Sequence, residues 1–360
     1  MKAIILVGGQ GTRMRPLTLD IPKPLLPIAN IPFIERQIKW LSSYGVSEVV
    51  LSLCYLPNQF EEYFAKNPID GVSISYVVED EPLGTGGAIK FSAGDIDGSV
   101  IVCNGDVLTT IDLKELVELH DSVNSLATIA LTQVEDPSAF GVVPTNEDKQ
   151  VIAFVEKPSK ELAPSNWINA GIYVLSREFL DLIPSGLQVS IERETFPKAI
   201  VEGSMYALES NEYWLDIGTI EKYLQAHTDF LSNMSTLSDS NRYKEVAENI
   251  FSDGEIEIGE GTVAKSKCLI GKGSKIGRNC TLDSISVGKN TEIGDSTSIE
   301  SSVIFSDSII GNEVSISSSI IGKNSAIGNK VVLDDNCAIG SNEKIDEGSR
   351  LIATRIPPNE

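Results

Sequence analysis

This chain has little positive charge. Its 29 lysines and arginines face 51 aspartates and glutamates, for a formal net charge of −22 at pH 7. Neutralising a nucleic-acid backbone takes a basic face, so no nucleic-acid partner is expected. No attraction to an anionic membrane surface is expected either. Long apolar runs are also missing: none approaches the roughly 20 residues that cross a bilayer. The apolar start, Met1 to Val7, is too short for a secretory segment. It runs straight into Gly8 and Gly9 and reads as a buried first strand. Histidine is nearly absent. His120 and His227 suggest no serine–histidine–acid set. They read as helix-end residues without a partner, where the positive form suits the macrodipole. The five cysteines, Cys54, Cys103, Cys268, Cys280 and Cys337, are odd in number and form no C-x-x-C pair. A reducing, cytoplasmic compartment is the expectation.

What is present falls into two patterns. Residues 1–230 alternate short apolar runs (Ile4–Val7, Val49–Leu53, Ile74–Val78, Val100–Cys103, Ala127–Leu131) with helical spacing. Pro32–Tyr44 is one such helix, with Ile34, Ile38 and Leu41 on one face and Gly45 at the stop. Alternation of this kind predicts an α/β domain around a largely parallel sheet. Residues 231–250 read as a polar linker carrying a short helix.

From residue 251 to 356 the pattern changes. An aliphatic residue precedes glycine at Ile258, Ile270, Ile276, Val287, Ile293, Ile310, Ile321, Ile327 and Ile339. Steps of six residues, with a regular step of five, predict a coil of 17. Three columns follow: Ile270, Val287, Ile304, Ile321; then Ile276, Ile293, Ile310, Ile327; then Leu282, Ile299, Ile316, Leu333. That is a three-sided β-helix whose coils bury their aliphatic residues on one another. Small residues recur in a fixed slot, among them Cys268, Cys280 and Cys337, so these cysteines read as core filling.

The chemistry concentrates near the N-terminus. Leu6-Val7-Gly8-Gly9-Gln10-Gly11-Thr12-Arg13-Met14-Arg15-Pro16 is followed by Pro22-Lys23-Pro24. A strand ends, and three glycines let backbone N–H groups approach a polyphosphate. Arg13, Arg15 and Lys23 bring cations to one stretch of an acidic chain. A dinucleotide fingerprint would need glycine where Met14 stands, and a Walker loop would need lysine where Thr12 stands. Further on, Val100-Ile101-Val102-Cys103-Asn104-Gly105-Asp106 is a strand ending in a carboxylate, where ligands of open α/β sheets bind. Asp216 ends a second apolar run. Asp95, Asp97 and Asp112 read as surface or cap residues.

The N-terminal segment resembles the nucleotide-binding loop of the sugar nucleotidyltransferases, and the resemblance runs through the first half into the repeats. It implies a Rossmann-like nucleotide-diphospho-sugar transferase domain followed by a left-handed β-helix; general connection rules alone favour a right hand. It implies that Leu6, Gly8, Gly9, Gly11, Thr12 and Arg13 hold a nucleoside triphosphate, with Arg13 and Lys23 countering phosphate charge. Glu79, Gly84 and Thr85 would face base and ribose. Asp106 and Asp216 would hold Mg2+, which takes one or two carboxylates plus substrate phosphates. Lys157 would hold the sugar phosphate, with Gly141, Glu156, Asn169 and Gly171 around the sugar. Segments 168–176, 190–197 and 213–218 resemble mannose-1-phosphate guanylyltransferases most, implying GTP and mannose 1-phosphate as substrates, with Glu79 or Glu81 on the guanine edge. Thymidylyl or uridylyl transfer to glucose 1-phosphate, and a non-catalytic regulatory subunit, are the alternatives. An acyltransferase β-helix is not expected, because no histidine follows His227. Homo-oligomer assembly through the β-helix is expected.

Overall fold

Ala3, Ile4 and Ile5 are wholly buried, the pattern of a strand covered on both faces, and they form β1 (Lys2–Leu6). A computed structural model describes residues 1–233 and 242–359. The main sheet and a small strand pair beside it add β2 (Glu48–Leu53), β3 (Ser73–Val78), β4 (Val100–Asn104), β5 (Val107–Thr109), β6 (Ala127–Gln133), β7 (Gly141–Val142), β8 (Val155–Glu156), β9 (Trp167–Leu175), β10 (Met205–Ser210) and β11 (Trp214–Asp216). The main sheet runs β8-β7-β9-β4-β1-β2-β3, with β6 pairing β9 and β10. Strands β3, β2, β1 and β4 are parallel. The parallel run ends there, because β9 lies antiparallel to both β4 and β6. The expected largely parallel sheet is therefore mixed. Strands β5 and β11 pair separately, antiparallel.

The helices are α1 (Phe33–Ser43), α2 (Pro57–Lys66), α3 (Gly84–Ala93), α4 (Leu113–Ser122), α5 (Arg177–Asp181), α6 (Phe196–Val201) and α7 (Ile220–Ser232). Ile34, Ile38 and Leu41 of α1 are all buried. Asp112 caps α4, its Oδ1 accepting from Lys114 N at 2.8 Å. Among the described residues, no helix is long and apolar enough to cross a membrane.

The chain forms two compact units. Met1–Gly9 with Ile34–Asp216 makes one. Gln10–Phe33 with the chain from Ile217 onward makes the other. Part of the glycine-rich segment thus belongs with the C-terminal half. Of the linker, residues 234–241 lie outside the described residues. Where a short helix was expected, Lys244–Ala247 is a strand paired with Ile250–Ser252.

In the second unit the repeats stack as three sheets of parallel strands. Ile270, Val287, Ile304 and Ile321 pair in register, as do Ile276, Ile293, Ile310 and Ile327, and Leu282, Ile299, Ile316 and Leu333. The spacing is 17 residues from Ile276 to Ile327 and widens to 18 from Ile258 to Ile276 and from Ile327 to Ile345. Glycines end many strands because the next coil lies directly beneath. A Cβ on Gly294 would stand 2.6 Å from Gly311 C. Cys268, Cys280 and Cys337 are buried in the stack, and burial pushes the Cys268 thiol up to about 11. On one sheet the alternate residues Leu269, Ser286, Val303 and Ile320 are buried as well. There the Tyr223 ring of α7 meets Phe305 at 6.5 Å between centroids, and Asn30 Nδ2 donates to Val287 O at 2.7 Å.

Both histidines have partners, contrary to expectation. His120 lies between Ser99 Oγ and Thr128 Oγ1, 3.0 Å from each. Burial lowers its pKa, so it is held neutral rather than positive. His227 accepts from Ala29 N at 3.4 Å through Nδ1 and donates from Nε2 to Pro27 O at 3.0 Å.

Ile310→Ala should cost about 2–5 kcal/mol of stability, because the coils above and below cannot close on the cavity. Ile309, 55% exposed on the adjacent outer position, should tolerate alanine within about 0.5 kcal/mol. Thermal unfolding of the two variants measures the contrast.

Candidate functional site

The site is built on the ends of the two central parallel strands. In register, Leu6 of β1 pairs with Asn104 of β4. Gly105 N then donates to Leu6 O at 2.9 Å. A Cβ on Gly105 would stand 2.4 Å from Val7 Cγ1 and 2.6 Å from Leu6 O, so only glycine permits this closure. Asp106 follows at once, half-buried. Beyond Leu6, Gly8 packs against Cys54, where a Cβ would meet Cys54 Cβ at 3.3 Å. Gly9 is exposed with open space around it.

Asp106 leads into β5, which pairs with β11 so that Val107 faces Asp216. The two sequence-predicted carboxylates therefore sit one register step apart on paired strands. Asp216 Oδ1 is shut off from solvent. Among the described residues no cluster of three or more histidine, cysteine, aspartate or glutamate side chains forms a metal cage. Two hard oxygen donors without a cage fit Mg2+, which usually completes its shell with water and substrate phosphate. They do not fit zinc, which takes four ligands rich in nitrogen and sulfur.

Next to this pair lies a bend in β9. The register shifts between Asn169 and Tyr173. Gly171 takes φ +74°, and a Cβ there would stand 2.6 Å from Asn104 Nδ2. Asn169 Oδ1 accepts from Gly171 N, and its Nδ2 donates to Tyr173 OH, both at 2.7 Å. Trp214 Nε1 donates to Ala170 O at 2.9 Å, and Gln37 Nε2 donates to Asn104 O at 2.8 Å. Asn104, Gln37 and Trp214 are supports that sequence reasoning missed. Asn104 stood in a quoted strand end, but nothing local reveals a partner 67 residues away in both directions.

Glu156 pairs with Gly141 across β8 and β7. Gly141 lacks a Cβ because Phe154 fills that space, 2.5 Å from where one would stand. Lys157 follows in the left-handed region, φ +49°, with its N–H on Phe140 O at 3.0 Å. Its ammonium is exposed and lies 3.6 Å from Glu156 Oε1.

The segment before α3 differs from expectation. Glu79 is buried, accepting from Ser52 Oγ at 3.1 Å and from Leu83 N at 2.8 Å. Both oxygens are thus engaged in holding a turn, whereas Glu81 is exposed. The glycines here make room for neighbouring protein. Gly84 has φ +70° and a Cβ would meet Val189 O at 2.6 Å; one on Gly87 would meet Leu187 O at 2.6 Å. Thr85 Oγ1 donates to Glu192 Oε2 at 2.7 Å and accepts from Ile191 N at 3.0 Å. It fastens a π-helical turn, Ile191–Thr195, of a kind frequent at functional sites.

Gly11, Thr12, Arg13 and Lys23 lie in the second unit. Gly11, at φ +59°, opens a 3₁₀ turn over Thr12–Met14. A Cβ there would crowd Thr18 Cγ2 at 3.0 Å and Lys23 Cβ at 3.1 Å. Thr12 and Arg13 are exposed, as a site for a large anion requires.

Comparison with known proteins places the chain in a family. A family model described as Nucleotidyl transferase matches residues 2–233, and one described as EIF2B subunit epsilon LbH domain matches residues 247–351. A mannose-1-phosphate guanylyltransferase of Mycobacterium tuberculosis is 39% identical over 78% of this chain and 78% of its own. Mannose-1-phosphate guanylyltransferase 1 of Arabidopsis thaliana is 40% identical over 79% of this chain and 78% of its own. The crystal structure of HddC from Yersinia pseudotuberculosis complexed with GMP-PN is 32% identical, with a TM-score of 0.55 over 64% of this chain and 99% of that one.

Gly171→Ala should displace Asn104 and tilt the strand end that carries Asp106. A shift near 1 Å at such a point costs up to about a hundredfold in rate. Steady-state turnover should fall by roughly that factor while circular dichroism stays unchanged.

Proposed function

The chain belongs to the nucleotidyl transferase family, and on that footing we propose that it transfers a guanylyl group from GTP to mannose 1-phosphate and releases pyrophosphate. The observation that carries the reading is the pair Asp106 and Asp216, set one step apart on the paired strands β5 and β11. The two guanylyltransferase relatives support the choice of substrates.

An oxygen of the sugar phosphate attacks the α-phosphorus, the bond from that phosphorus to the β-phosphate oxygen breaks, and pyrophosphate departs with the electron pair. The nucleophile is already an anion, so no general base is needed. Catalysis is alignment and charge neutralisation. Lys157, exposed on a left-handed turn, meets the sugar phosphate. Arg13 and Lys23 counter the charge of the triphosphate and of the departing pyrophosphate. Asn169, already oriented by Gly171 and Tyr173, and Glu156 serve sugar hydroxyls. Glu81, rather than the engaged Glu79, accepts from the guanine edge. Asp106 and Asp216 would hold Mg2+, which when bound supplies charge stabilisation to the phosphates. The intact set of these residues favours an enzyme over a regulatory subunit. We read the β-helix as the assembly surface of a homo-oligomer, and the buried cysteines as suited to a reducing cytoplasm.

Asp106→Asn and Asp216→Asn should each cut turnover by at least about a hundredfold with the fold intact, as expected when a charge stabiliser of the transition state is lost. Near-normal turnover in either at saturating magnesium would remove the metal assignment. Lys157→Ala should raise the KM for the sugar phosphate far more than that for the triphosphate. In a screen of triphosphates against sugar 1-phosphates, GTP with mannose 1-phosphate should give the highest kcat/KM. A higher value for dTTP or UTP with glucose 1-phosphate would overturn the substrate pair and leave the reaction class standing.

A further inference from the structure

The segment Gln10–Phe33, which carries Arg13, Arg15 and Lys23, is fastened to the C-terminal half at both of its ends. At the far end, Pro27 O accepts from Tyr223 OH and from His227 Nε2, and Ala29 O accepts from Tyr243 OH at 2.6 Å. Asn30 adds its bond to Val287 O. At the near end a guanidinium acts. Arg355, on the strand Arg355–Ile356 that closes the β-helix, donates Nη1 to Arg13 O and to Arg15 O, each at 3.1 Å. Glu221, in the first turn of α7, has its carboxyl held below the usual range by the Thr219 hydroxyl first, with the Arg355 charge adding a smaller part.

These two carbonyls matter because of where they stand. A three-residue 3₁₀ turn leaves carbonyl oxygens without partners inside the turn. Their partial negative charges are unfavourable beside a bound polyphosphate. A guanidinium placed on both turns the unfavourable dipoles toward a cation and fixes the curl of Arg13-Met14-Arg15. We propose that Arg355 is a positioning residue for nucleotidyl transfer, through which the last coil of the β-helix sets the shape and charge of the triphosphate loop. This rests on the reading that the loop grips the triphosphate. The β-helix is then part of the catalytic apparatus in a physical sense, one hydrogen-bonded pair away from Arg13.

The test uses the full chain. Arg355→Ala should raise the KM for GTP about tenfold, since hydrogen bonds from a charged donor contribute on the order of one decade in affinity. The KM for mannose 1-phosphate should stay within about twofold, and the thermal midpoint should not move. Arg355→Lys should recover most of the loss, because an ammonium still meets both carbonyls. Should Arg355→Ala lose its fold, Arg355→Gln carries the same comparison. Unchanged KM for GTP in the alanine variant, or equal rises for both substrates, would overturn the positioning role. Calorimetric titration of the unaltered protein with a non-hydrolysable GTP analogue separates the two claims. No heat of binding there would sink the functional reading itself, whereas binding that Arg355→Ala leaves untouched would sink only this inference.

Discussion

The bond from Gly105 N to Leu6 O is the constraint on which the first unit depends. It closes the exits of β1 and β4, the two strands at the middle of the sheet. One exit feeds the glycine-rich segment; the other feeds Asp106. The closure works only because position 105 has no side chain to strike Val7. Asp106 leads directly into β5, and pairing with β11 brings Asp216 alongside. Gln37 and the bend at Gly171 then hold Asn104 from two sides. Short connections and paired strands rather than long loops thus carry the two carboxylates, the arrangement that fixes geometry most tightly.

Charge is distributed on the same logic. A chain with a formal charge of −22 repels phosphates at long range. Binding such substrates therefore relies on cations at short range, where Coulomb attraction is strong and little screened. Arg13, Arg15, Lys23 and Arg355 fall within one unit, and Lys157 stands exposed on the other. Two carboxylates in such a setting would repel a polyphosphate unless a divalent cation lay between them, which is the physical case for Mg2+.

The β-helix was readable to the residue, because a period near 17 with an aliphatic residue at each strand leaves one way to stack the columns. Only the widening to 18 at the ends escaped. Strands β1 to β4, β6 and helix α1 of the first unit were legible as well, since apolar runs and helical spacing are local signals. What escaped was long-range. The glycines at 84–87 announce a close approach but not its partner, and in the fold the chain at 187–191 packs against them. Glu79 looked open to ligand until Ser52 and Leu83 claimed it. His120 and His227 found partners on other elements. In the linker expected to carry a short helix, Lys244–Ala247 took its state from pairing with Ile250–Ser252, a case of tertiary context overriding propensity. That Gln10–Phe33 belongs with the C-terminal half shows only in bonds to distant residues, Tyr223, His227, Tyr243, Val287 and Arg355, and no motif encodes those.

In the proposed reaction the sugar phosphate attacks the α-phosphorus directly, with protein groups aligning and neutralising but never bonding covalently to the nucleotide. The stereochemistry at that phosphorus tests this most directly. With one diastereomer of GTP carrying sulfur on the α-phosphorus, turnover with mannose 1-phosphate should give GDP-mannose sulfur analogue of inverted configuration, the mark of a single in-line displacement. Retention would mean two displacements through a nucleotidylated side chain and would contradict the account.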